Sequence, residues 1–191
     1  MAHWLPTSIT DFEIMARDHA EEVRATYGEL TAQELNWKPD ANAWSIAQCL
    51  DHLLTANATY FPTFEAVVHG RKTTTFWERL PGLPSLWGKM LVKSVAPESA
   101  RKLKAPQIFQ PASSDISTDI VPRFGEQQDR LLHYLQATGG MDLDGIIITS
   151  PVAKFITYSL RDTFRILFLH ERRHLNQAQR VLKASRSEAP A

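Results

Sequence analysis

The sequence predicts an all-α protein, a four-helix bundle with a long middle connection, on three observations. Four long segments repeat apolar residues at the three- and four-residue spacing of a helix facing a core. Strand signals are few, and no internal repeat or low-complexity stretch points to another architecture. The 191 residues, 43% of them apolar, suffice for one domain whose core needs no disulfide. The expected domain covers residues 1–191, with its core at about 8–184.

The first helix is expected from residue 7 or 8 to residue 30, with Phe12, Met15, Ala16, His19, Val23 and Tyr27 on one stripe. Thr31 opens the run Thr-Ala-Gln-Glu, a capping-box pattern that predicts a short helical turn. Pro39, Asp40 and Asn42 then break the periodicity. The second helix starts at Ser45, a favourable N-cap, and runs towards Gly70. Ile46, Cys49, Leu50, Leu53, Leu54 and Asn57 trace its broad face, and Pro62 is expected to kink it.

Residues 71–114 read as mostly irregular, holding Pro81, Pro84, Pro97, Pro106 and Pro111, with a short amphipathic piece over 86–95. So long a connection is uncommon inside a compact domain and often functional where it occurs, so it is expected to cover a pocket mouth. The third helix spans about 117–136, its regular part beginning near Pro122 and stopping before Gly139 and Gly140. Residues 141–157 read as extended, with Ile146, Ile147 and Ile148 as a strand-like run that Pro151 ends. The fourth helix starts near Ser159, with Asp162 as a capping partner, and runs to about residue 184. The tail after Lys183 reads as a frayed end.

Composition narrows the function. The 21 basic and 21 acidic residues balance, which argues against a nucleic acid or a membrane surface as the dominant partner. Cys49 is the lone cysteine, so no internal disulfide forms and a reducing cytoplasm is the natural setting. The first residues show no basic cluster followed by an apolar run. No apolar stretch approaches the roughly 20 residues that span a bilayer.

Three histidines are the candidate metal ligands. His170 and His174 stand one turn apart on the fourth helix, on the same face. His52 lies on the second helix, with Gln48, Cys49, Thr55 and Ala56 as neighbours on its face. Thr163, Leu167, Gln177 and Ala178 share the stripe of the pair. If the two helices pack together, the imidazoles converge, and three neutral nitrogens leave a coordination position open for water or substrate. The competing reading is ordinary histidines satisfied by hydrogen bonds, because periodicity alone does not show that two helices meet. His3, His19, His69 and His133 are not expected to be ligands.

Residues 170–174 also read His-Glu-Arg-Arg-His, which fits the zincin pattern with Glu171 as general base. Three features argue against it. Little sequence follows His174 to supply a third ligand, the extended form of the motif wants Gly and His where Gln177 and Arg180 stand, and two arginines lie between the ligands. Glu171 is instead expected to pair with Arg172, Arg173 or another helix. Cys49 is read as a small buried hydrophobe rather than a nucleophile. Trp37 and Trp44 are read as packing anchors, and Arg161, Arg165, Arg172, Arg173 and Arg180 as a solvated or salt-bridged face.

Three segments together resemble a known family: the run WSIAQCLDHLLTANATYF at 44–61, KLKAPQIFQPASSDIS at 102–117 and HERRHLNQAQRVL at 170–182. In this order they resemble the DinB-like (DinB/YfiT-like) family of metalloenzymes, over roughly residues 12–182. The resemblance implies a four-helix bundle with a three-histidine metal site, usually nickel or zinc, falling on His52, His170 and His174. It also implies a homodimer and a small-molecule substrate, with thiol-dependent S-transferases, a maleylpyruvate isomerase and metal-dependent hydrolases among the relatives.

The expected function is a cytoplasmic metal-dependent enzyme with nickel, zinc or iron at these histidines. It works either as a transferase using a low-molecular-weight thiol or as a hydrolase. No carboxylate sits one turn from His52 to act as a base, which tilts the expectation towards thiol transfer. The alternative is a non-catalytic bundle that binds metal or a small ligand.

Overall fold

The computed structural model describes residues 5–97, 109–111 and 115–188. Pro106, most of the segment at 102–117, His3 and the last three residues lie outside the described residues.

The helix starts follow the local chemistry read from the sequence. Helix α1 (Ile9–Tyr27), α2 (Ala32–Asn36) and α3 (Ile46–Ala58) open on capping boxes at Ser8, Thr31 and Ser45, closed by Asp11, Glu34 and Gln48. The chain turns at Thr59 and Tyr60, and α4 (Phe61–Val68) begins with Pro62 in its first turn, where a missing N–H leaves nothing unpaired. Residues 71–114 are more ordered than expected. Among the described residues they hold a 3₁₀ turn, Trp77–Arg79, and a full helix α5 (Leu83–Val95), which contains the expected amphipathic piece over 86–95.

Helix α6 (Ile120–Thr138) leads to a two-stranded antiparallel hairpin, β1 (Ile147–Thr149) and β2 (Thr157–Ser159), with Ile148 opposite Tyr158. The second strand was not expected: its three residues run straight into α7 and carry no period of their own. Helix α7 spans Leu160–Glu188, capped by the Ser159 hydroxyl, which accepts the Asp162 N–H at 3.0 Å. The helix therefore persists beyond Lys183, where a frayed end was expected. No helix among the described residues is long and apolar enough to cross a membrane.

Pairwise contacts fix the bundle's topology. Phe12 meets Phe164 and Phe168, His19 meets Glu171, and Glu22 meets Arg172 and Gln179, so α1 and α7 run parallel. His52 meets His174, Asn57 meets Glu171 and Tyr60 meets Tyr158, so α3 and α7 run antiparallel. Asn57 meets Gln127 and Phe64 meets Tyr134, so α3–α4 and α6 run parallel. Helix α1 packs along α6, which closes the square. Two consecutive long helices that run parallel need a crossover the length of the bundle, which is the physical reason for the long middle connection. Its end is fastened by Asn36, whose amide donates to the Ile116 carbonyl at 2.8 Å and accepts the Ile116 N–H at 3.0 Å.

The core has two apolar halves. One is built around Phe12, Phe64, Leu131, Phe164 and Phe168, the other around Tyr27, Leu50, Leu53, Phe124 and Leu175. Each fully buried aliphatic or aromatic side chain contributes about 1.5–3 kcal/mol of transfer free energy. Between the halves lies a buried polar layer with one or two residues from every bundle helix: His19, Asn57, Gln127, Gln128 and Glu171.

Candidate metal centre

The antiparallel packing of α3 on α7 brings His52, His170 and His174 together at one side of the polar layer. Their ring centroids stand 5.0, 4.6 and 4.6 Å apart. One ring nitrogen from each lies within 4.8 Å of the other two. His52 is buried, and the α7 pair is partly buried.

Hydrogen bonds at the outer nitrogens decide which atoms face inward. His52 Nδ1 lies 2.5 Å from the Phe109 carbonyl, on the crossover connection. His174 Nδ1 lies 3.1 Å from Gln177 Oε1, one turn along α7. Both partners are oxygen acceptors, which assigns an Nδ1–H donor to each ring and leaves the Nε2 lone pair free. His52 Nε2 then meets His170 Nε2 at 3.1 Å. Two nitrogens sharing a tetrahedral zinc at about 2.0–2.1 Å stand roughly 3.3 Å apart, so this donor set fits a small divalent cation.

Burial holds all three imidazoles below the usual histidine pKa. His174 is lowered to about 3, by burial first and then by His52. His170 is lowered well below its usual value by burial, with His174, His52 and Arg173 acting in the same direction. His52 is lowered by burial, against the Phe109 hydrogen bond and Asp51. The rings are thus neutral at pH 7, the form that binds a metal.

Gln177 is the side-chain clamp on His174, and Gln177→Leu is expected to weaken metal binding by about 10–100-fold. Competition with a chromophoric chelator measures it, and an unchanged affinity contradicts the clamp.

Trp44 was read as a packing anchor, and the structure specifies what it packs on. Its ring lies 4.9 Å from that of His52 and stacks on His174 at 5.5 Å and 24°. It walls two of the three imidazoles, a role that its place one residue before the Ser45 cap did not reveal.

Glu171 pairs with neither Arg172 nor Arg173. Its buried carboxylate accepts from His19 Nδ1 at 2.7 Å on one oxygen, and from Asn57 Nδ2 at 2.7 Å and Gln128 Nε2 at 2.9 Å on the other. Arg172 bonds Glu22, and Arg173 donates to the Ser94 carbonyl at 3.0 Å. The carboxylate is thus held in the core layer, in keeping with the rejection of a zincin site. Tyr60 bonds the Tyr158 hydroxyl at 2.7 Å. His69 is exposed beside Glu65, and His133 is exposed.

Cys49 is fully buried one turn before His52, and burial pushes its thiol up to about 12. Iodoacetamide at pH 8 is expected to leave it untouched in the folded protein and to label it on unfolding. Rapid labelling of the native state contradicts this.

Fold and site together define a helical bundle with a convergent three-histidine centre. The chain belongs to the DinB superfamily, whose family profile matches residues 15–178 and so takes in all three histidines. Members of this superfamily commonly bind a divalent metal, and the three-histidine group is compatible with one. The chain is similar to the uncharacterized protein YuaE of Bacillus subtilis (strain 168), with 26% identity over 153 residues, 80% of this chain and 85% of YuaE. No solved structure matches.

Proposed function

We propose that this protein is a metal-dependent enzyme acting on a small molecule, with a low-molecular-weight thiol as co-substrate. His52, His170 and His174 hold a divalent cation, with nickel or zinc favoured and iron an alternative, since imidazole nitrogens suit all three. The observation that carries the reading is the inward convergence of the Nε2 atoms while Nδ1 of His52 and of His174 is tied to an oxygen.

When bound, the cation supplies Lewis acidity that lowers the pKa of a water or deprotonates a coordinated thiol outright. The protein's own part is to keep three neutral donors aimed at one point and to wall them with Trp44 and Phe109. Glu171, the acid next to His170, is engaged by three donors of the polar layer. That supports thiol transfer over hydrolysis, because a coordinated thiol needs no protein base. Hydrolysis remains the second reading, since the same centre serves a water. A homodimer in the cytoplasm is the setting we propose.

Metal-loaded protein is tested with a panel of thiols and electrophilic acceptors. Sustained turnover that is abolished by chelator and by His52→Ala supports the reading. Metal binding with no turnover of any thiol or ester substrate favours a non-catalytic bundle.

A further inference from the structure

Most of the exposed large apolar side chains among the described residues gather on one surface, built by residues 71–97 and 145–160. Phe76 and Leu86 are 69% and 64% exposed, and Trp77, Met90, Val152 and Phe155 are between 40% and 48%. The rings form a continuous chain: Phe76 meets Trp77 with centroids 5.5 Å apart, Trp77 meets Phe155 at 6.4 Å, and Phe155 meets Trp87 at 6.0 Å. Single exposed apolar side chains are ordinary, whereas a contiguous patch marks an interaction surface.

The frame beneath the patch is fixed. Buried Glu78 accepts from Lys72 Nζ at 2.8 Å and from the Thr149 hydroxyl of β1 at 2.7 Å, which fastens the connection to the hairpin. Helix α5 lies flat on α7, so close that a Cβ on buried Gly88 would stand 2.2 Å from Asp162 Oδ2. The opposite, outward face of α5 then carries Leu86, Lys89, Met90 and Lys93, all exposed.

Charge on this surface has one sign. The two stretches hold one acid, Glu78, which is buried and paired with Lys72. Asp144 and Asp162, at the borders of the second stretch, bond Arg161 and Arg165. Arg79, Lys89, Lys93 and Lys154 are exposed and make no ion pair among the described residues. The balanced charge of the whole chain conceals this local excess.

We propose that this surface docks on an anionic lipid bilayer, its apolar tips entering the headgroup layer and its four cations meeting the lipid phosphates and carboxylates. Side chains about two-thirds exposed project from the protein, whereas those that receive a peptide line a groove and are walled by it. Aromatic and leucine tips beside lysines are the composition of a face that lies in a membrane interface.

Co-sedimentation with vesicles tests the inference. The wild type is expected to bind phosphatidylcholine vesicles that contain phosphatidylserine, to be released by salt, and to leave pure phosphatidylcholine largely unbound. A cation near an anionic surface contributes about fivefold in partitioning, so Lys89→Gln with Lys93→Gln is expected to weaken binding by about 25-fold. Phe76→Ser with Leu86→Ser is expected to weaken it by about tenfold. All four side chains are exposed, so melting temperature and metal content are expected to match the wild type in both variants. A wild type that ignores the phosphatidylserine vesicles, or binding that survives both variants, overturns the inference. Self-association lost in Phe76→Ser with Leu86→Ser, without vesicle binding, assigns the face to a second copy and overturns it too. Capture by immobilised polyglutamate in place of vesicles assigns the face to an acidic protein and does the same.

Discussion

Glu171→Ala is expected to destabilise the fold by about 3–5 kcal/mol, the range seen when one member of a buried charged cluster is removed. The carboxylate is fully buried and joins His19 of α1, Asn57 of α3 and Gln128 of α6 to α7. Its loss leaves three buried donors facing a cavity, each with the desolvation penalty of an unmade hydrogen bond. Asn57 also donates to Gln127, whose amide donates to the Leu54 carbonyl, so the damage reaches the α3 backbone. Urea denaturation reads the change in midpoint. Glu171→Gln keeps the shape and one acceptor, and is expected to cost less. A shift below about 1 kcal/mol for Glu171→Ala contradicts the account of this layer.

His52→Ala is expected to have the second large effect, on metal rather than on folding. Its Nε2 is the α3 contribution to the centre, 3.1 Å from His170 Nε2, while the other two donors come from α7. An i, i+4 pair alone holds an ion from one side. Affinity for zinc should fall by more than the about 10–100-fold that altering a ligand's hydrogen-bond partner costs. Calorimetric titration measures it, and wild-type affinity in His52→Ala contradicts the assignment.

The elements that the sequence revealed are those with a local cause. Ser8, Thr31 and Ser45 announce their helices through capping boxes, and Pro62 announces the break between α3 and α4. The spacing of His170 and His174 places them on one face of any helix. Whether His52 meets them depends on α3 packing on α7, which no local pattern encodes. The same holds for the polar layer: His19 and Asn57 stand on core-facing stripes of their helices, but that they meet Gln128 and Glu171 there depends on how the helices close. The Phe109 carbonyl that holds His52 carries no side-chain signal at all. The amphipathic piece over 86–95 marks most of helix α5, whose first turn at Leu83 and Pro84 was hidden by the neighbouring prolines, and strand β2 escaped notice because only three residues make it up. The length of the middle connection was legible, and its cause was not: it follows from α3–α4 and α6 running parallel.

The most direct test of the three-histidine centre is elemental analysis of purified wild-type protein beside His170→Ala. The account predicts about one nickel, zinc or iron per wild-type chain, and close to none in the variant, with both proteins folded by circular dichroism. A wild type that neither carries metal nor takes it up on reloading, or a His170→Ala variant that keeps a full complement, contradicts it.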